Sequence, residues 1–105
     1  MQKDVQMTKA ETTGRLIAFD AKSTDAKNGF AFASHKSDRH QRFTLRRFGA
    51  AGAISGLVVR STVQSAAYWI DHSKLQDSGS IPWADCIRLG DSTAFDIRHA
   101  WEASA

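Results

Sequence analysis

Leu16-Ile17-Ala18-Phe19-Asp20-Ala21-Lys22-Ser23-Thr24 sets four apolar residues against an aspartate and, two positions on, a lysine. In a β-strand, residues two apart point to the same face. Asp20 and Lys22 therefore project side by side where a buried strand meets water. A carboxylate there is a hard oxygen ligand suited to a divalent cation. An ammonium beside it can steady the anionic charge of phosphoryl transfer or hold a nucleophilic water. The Ala21 carbonyl, on the other side of the pleat, offers one more oxygen. The plainer reading is a charged pair that marks the end of a strand, and only the rest of the chain separates the two.

The chain has 105 residues, 42% hydrophobic and 24% charged, which suits one small soluble domain spanning 1–105. No apolar run approaches the roughly 18 residues needed to span a membrane. The first ten residues are polar in the main and carry no signal-peptide pattern. Cys86 is the only cysteine, so an internal disulfide is excluded, and a zinc-type Cys/His cluster is absent. It reads as a small half-buried side chain. A reducing, cytoplasmic compartment fits this usage. The net charge is +3 with pI ≈ 9.4, a lean toward anionic partners. The basic character is concentrated. Between positions 15 and 47 stand Arg15, Lys22, Lys27, Lys36, Arg39, Arg42, Arg46 and Arg47, with His35 and His40, against Asp20, Asp25 and Asp38 alone.

Ahead of the opening stretch, Val5 and Met7 alternate with polar residues and predict a short strand. Glu11-Thr12-Thr13-Gly14 is a turn, since Gly14 can take positive φ. The second strand runs from Arg15 to Lys22. A hairpin centred near residue 12 sets Asp4 opposite Asp20, about 5 Å away at Cα. Two carboxylates that close repel unless a cation lies between them, so Asp4 is a candidate second metal ligand; a solvated terminal residue is the alternative. Residues 23–36 are a polar loop broken by Phe30-Ala31-Phe32, an extended piece that tucks into the core. Lys27 in this loop can meet a phosphate backbone or simply be solvated.

Ser37-Asp38 resembles a helix N-cap, with the helix running over Arg39–Phe48 and stopping at Gly49. Gln41, Leu45 and Phe48 recur at i, i+4 and i+7 as its inward face. Gln41 is the polar member of that stripe and needs a partner, because burying an unpaired amide costs about 1–3 kcal/mol. That partner is either the backbone or an active centre. Arg39, Arg42 and Arg46 fall on the outer side, as a solvated basic face or as phosphate contacts. Beyond Gly52, Ile54–Arg60 is a fully buried strand and Ala66–Ile70 another, after a turn at 61–65. A helical turn begins at His72, and 93–102 reads as a terminal helix. Strand, strand, helix, strand, strand predicts an α/β fold with one mixed β-sheet and flanking helices.

These pieces together resemble the RecU-type Holliday junction resolvases of the PD-(D/E)xK nuclease superfamily. The residues concerned are Phe19-Asp20-Ala21-Lys22-Ser23-Thr24, His40-Gln41 with Leu45, Gly52 with Gly56-Leu57-Val58-Val59-Arg60, and Tyr68-Trp69-Ile70, over roughly 14–90. The resemblance implies a restriction-endonuclease-like core that cuts branched DNA, four-way junctions above all, with Mg²⁺ or Mn²⁺, as a homodimer, in DNA recombination and repair. It implies Asp20, Lys22 and Gln41 as catalytic residues. Asp4, Asp20 and the Ala21 carbonyl would be metal ligands. DNA contacts would come from Arg15, Lys27, Lys36, Arg39, His40, Arg42 and Arg46. Asp20 stands where the family often has Glu, and the gap from Asp4 to Asp20 is longer than the family's. The family's N-terminal acidic helix and stalk precede the catalytic Asp, whereas this chain starts at or inside the strand that follows them. The expectation is a minimal or N-terminally truncated version.

Two other readings stay open: a PD-(D/E)xK phage-type nuclease acting on other DNA forms, and a non-catalytic DNA-binding module on a decayed nuclease core. Equal cutting of linear and branched DNA marks the first. Salt-sensitive binding without cleavage marks the second.

Overall fold

A computed structural model describes residues 6–9 and 16–100. Its order is β1 (Gln6–Lys9), β2 (Leu16–Thr24), β3 (Gly29–Ala31), α1 (Lys36–Ala50), β4 (Ile54–Ser61), β5 (Ala66–Asp71), β6 (Ser80–Pro82), β7 (Ile87–Asp91) and β8 (Ala94–Phe95). Six strands form one sheet in the order β1-β2-β4-β5-β7-β8, and β3 pairs with β6 apart from it. Within the large sheet β2 and β4 are parallel and the other neighbours antiparallel. This is the expected mixed α/β sheet. A parallel pair cannot be joined by a tight hairpin, and α1 supplies the crossover.

Period-2 alternation divides the sheet's side chains between two cores. Ala18, Leu57, Val59, Tyr68 and Ile70 point to the side where Leu45 of α1 is buried. Ile17, Ile54, Val58, Ala67 and Trp69 point to the other, where Leu89 and Ala100 close over them. β4 is buried from Ile54 through Val59 because it is covered on both faces, as parallel-strand neighbours usually are. Gly56 lies within it, where a Cβ would overlap the Ile70 carbonyl and crowd the Trp69 ring. The same parity sends Asp20 and Lys22 to the helix side, level with Leu57 and Val59 of β4.

The helix departs from its expected bounds at both ends. It starts at Lys36, and His35, its N-cap, makes no side-chain cap bond. Asp38 lies inside the first turn, where its carboxylate is drawn to Lys22 rather than to a backbone N–H. At the other end Gly49 is helical. Its missing Cβ makes room for the His72 ring, which a side chain there would overlap. The glycine that ends the helix is Gly52, with φ 103°, the left-handed conformation that follows a C-cap. Ala53 N–H closes the end on the Phe48 carbonyl at 3.0 Å.

The predicted helix over 93–102 is also corrected. Ser92 and Thr93 form a turn, Ala94 and Phe95 pair back onto β7, and helical residues begin only at Arg98. The hairpin register pairs Gln6 with Phe19 and Lys9 with Leu16, so it is centred between residues 12 and 13, one residue off the register that setting Asp4 opposite Asp20 requires. Asp4 and Arg15 lie outside the described residues. No helix among the described residues is long and apolar enough to cross a membrane.

Candidate active site

Asp20 is 1% exposed, at the point where β2 runs out from under the helix. Lys22, two residues on, reaches back toward α1 and lies among three acceptors. Its Nζ is 3.1 Å from Asp20 Oδ2. It donates to Asp38 Oδ1 at 3.1 Å and to Gln41 Oε1 at 3.0 Å. Asp38 and Gln41 are three apart on α1 and so share a face. A strand therefore presents the carboxylate and the ammonium, and the helix above clamps the ammonium. Ser23, Thr24, Phe30, Ala31, Ala33, Arg42 and Leu57 complete the walls of a cleft of about 280 Å³ that holds Lys22, Asp38 and Gln41.

The electrostatics favour a protonated Lys22. Burial alone works against the ammonium, but the Asp38 hydrogen bond, the contact with Asp20 and the charge of both carboxylates outweigh it. The net result raises Lys22 above the usual lysine value of 10.5. Lys22 is thus a fixed positive charge at neutral pH and not a proton acceptor. The Lys22–Asp20 contact is an ion pair without hydrogen-bond alignment: Asp20 Oδ2 is buried and receives no hydrogen bond among the described residues. A buried carboxylate oxygen with no donor is expensive unless a charge satisfies it. The site therefore has an oxygen ligand to spare. Among the described residues no three His, Cys, Asp or Glu side chains come together around an ion.

Three of the expected residues, Asp20, Lys22 and Gln41, do converge. Ala21 lies between the first two on the exposed side of the strand. Lys27 is exposed in its loop, where its carbonyl accepts from Gln64 Nε2 at 3.1 Å. Lys36, Arg39 and His40 are exposed on the far side of α1.

Arg42 is a correction. Expected on the outer, DNA-facing side, it is 4% exposed. It donates to the carbonyls of Ala33 at 2.7 Å and Asp77 at 3.1 Å, and stacks over Phe32 at 5.5 Å. Burial lowers its pKa below the usual arginine value, though arginine stays charged. Its position, next to Gln41 at the edge of the inward stripe, lets two loops close over it, so it ties those loops to the helix. Arg46 is partly committed in the same way, to the Leu75 carbonyl and the Asp77 carboxylate.

Asp38 is the site residue that the sequence reading assigned to a cap. Its place three residues before Gln41 was the available signal. Cys86 is half-buried as expected, and burial pushes its thiol up to about 11, so it is no nucleophile at neutral pH.

A mixed sheet whose Asp-x-Lys strand crosses over through a helix to a parallel neighbour is a nuclease-like core. Residues 11–81 match the family described as recombination protein U, a family of Holliday junction resolvases, and the chain belongs to it. No curated protein matches the sequence.

Proposed function

We propose that this chain is a metal-dependent endonuclease that hydrolyses phosphodiester bonds in branched DNA, the four-way junction first among its substrates. The observation that carries the reading is the buried Asp20 oxygen without a hydrogen-bond donor, set 3.1 Å from a clamped ammonium. Membership in a junction-resolvase family supports the same reading.

Mg²⁺ or Mn²⁺ suits this carboxylate, because such ions keep several waters and take only one or two protein carboxylates beside substrate phosphate. Asp20 would hold the ion, with the Ala21 carbonyl and Asp4 as further donors. When bound, the ion polarises the phosphate and activates a water. The chain's own part is electrostatic. Lys22, protonated throughout, steadies the charge that gathers on the phosphoryl oxygens as the water oxygen bonds to phosphorus and the bond to the leaving sugar oxygen breaks. Gln41 aims the ammonium from the helix. An ammonium has three donors, and Asp38 and Gln41 engage two of them. The third is left for a phosphate oxygen. Asp38, whose side chain is 24% exposed, is the partner a second phosphate oxygen would displace most readily.

Paired symmetric cuts in a four-way junction need two sites, which a homodimer supplies. The deciding assay compares a labelled junction with a matched linear duplex, in Mg²⁺, in Mn²⁺ and in chelator, with Asp20→Asn and Lys22→Ala alongside. Symmetric nicks on the junction alone, lost in chelator and in both variants, are expected. Undiminished cutting by folded Lys22→Ala would overturn the mechanism. Binding without cutting would favour the non-catalytic DNA-binding alternative, and equal cutting of both substrates a broader nuclease.

A further inference from the structure

A second groove lies away from Lys22, on the outer side of α1. It encloses about 1000 Å³ and is lined by Lys36, Arg39, His40, Phe43, Arg46 and Asp77, with two serines. Phe43 is 50% exposed. The side chains of Lys36, Arg39 and His40 make no hydrogen bond or ion pair with the described residues. The groove's one carboxylate, Asp77, is already paired with Arg46 at 3.2 Å. Arg47 sits over the Phe43 ring, its guanidinium carbon 5.8 Å from the centroid.

Phe43 is two residues from Gln41, about 200° around the helix. The groove and the Lys22 cleft are therefore separated by the body of α1, about 10 Å across. A nucleotide in the groove cannot be the one at Lys22.

We propose that this outer face of α1 is a second, non-catalytic DNA site that takes unpaired nucleotides: Phe43 stacks on a base, and Lys36 and Arg39 hold the flanking phosphates. The inference takes from the proposed function only that the partner is DNA. Uncompensated cations call for a polyanion. A second copy docking face to face would set the same cations against one another. An exposed aromatic ring among cations is the arrangement that holds single strands, because every base has a π-face to offer. In an intact duplex those faces are already stacked, so the ring selects nucleotides that are not. In a branched substrate stacking is broken at the crossover, and the groove would hold nucleotides freed there while the other side of the helix meets the strand to be cut.

The test is fluorescence anisotropy in chelator, which removes cleavage from the measurement. The probes are a short labelled oligothymidylate and a duplex of equal length. Phe43→Ala is expected to weaken oligothymidylate binding about tenfold, to leave duplex binding nearly unchanged, and to be rescued by Phe43→Trp. Lys36→Gln with Arg39→Gln should weaken both probes and flatten the salt dependence. Equal oligothymidylate affinity for wild type and Phe43→Ala would overturn the proposal. So would sedimentation revealing a dimer that Phe43→Ala dissolves while DNA affinity is unchanged. Asp20→Asn separates the two readings: it should lose cleavage and keep oligothymidylate binding. If the wild type never cuts yet binds through Phe43, the nuclease reading falls and this site stands.

Discussion

The two sides of α1 are built from neighbouring residues and have little else in common. On the inner side, Gln41 and Leu45 are buried at 2% and 0% exposure, and Lys22 is held by hydrogen bonds to Asp38 and Gln41. On the outer side, Phe43 stands half in water and three basic side chains have no partner among the described residues. Close packing and satisfied polar groups hold atoms at fixed distances, which chemistry at a phosphorus atom requires. Loose cations and an exposed ring fix nothing, but they can follow a flexible strand. One helix thus carries a side that positions and a side that captures.

The contrast is sharpest in stability. Leu45→Ala should cost about 3 kcal/mol by opening a cavity between helix and sheet, read from the urea midpoint. If it costs no more than an exposed substitution, the inner face is not the packed one. Arg42→Ala should cost about 2 kcal/mol, because the Ala33 and Asp77 carbonyls lose their donor; DNA binding measured on the folded fraction tells this apart from a phosphate contact. In cleavage, Lys22→Ala should lower the rate about a hundredfold at saturating metal, measured under single-turnover conditions.

The alkaline limb of stability offers a finer probe. Folding raises the Lys22 pKa, so its contribution is complete at neutral pH and holds up to the usual lysine value. It is lost as pH climbs through the higher folded value. Wild type should therefore lose more stability above pH 10.5 than Lys22→Met does, and parallel curves would mean the clamp contributes nothing. The smallest effect should be Phe43→Ala, within about 0.5 kcal/mol of wild type.

Much of the inner face was legible in the sequence. Period 2 alone puts Asp20 and Lys22 on one face, and a glutamine in an apolar stripe signals an internal partner, which turned out to be Lys22. Arg42 was misread because wheel position gives only a direction. Its burial comes from the chain around residues 33 and 77, distant along the sequence and invisible to a local pattern. Asp38 was misread because an acid near a helix start suits a cap equally well, and only the tertiary contact with Lys22 decides between them. β7 was missed because Ile87-Arg88-Leu89-Gly90-Asp91 buries a single residue, Leu89, too little for a strand signal. Where the sheet is thin, pairing rather than hydrophobic pattern defines the strand.

Gly49 has a reach beyond its own contacts. The His72 ring rests against it where a side chain would otherwise stand, so this is the notch in which the far end of the helix is seated. Asp38 and Gln41 hang from the same rigid rod, about 16 Å and 12 Å along its axis from that notch. A helix behaves as a lever: a methyl group wedged under one end becomes a tilt, and the tilt is delivered at the other. The aim of Lys22 is set partly at a glycine that never comes near it.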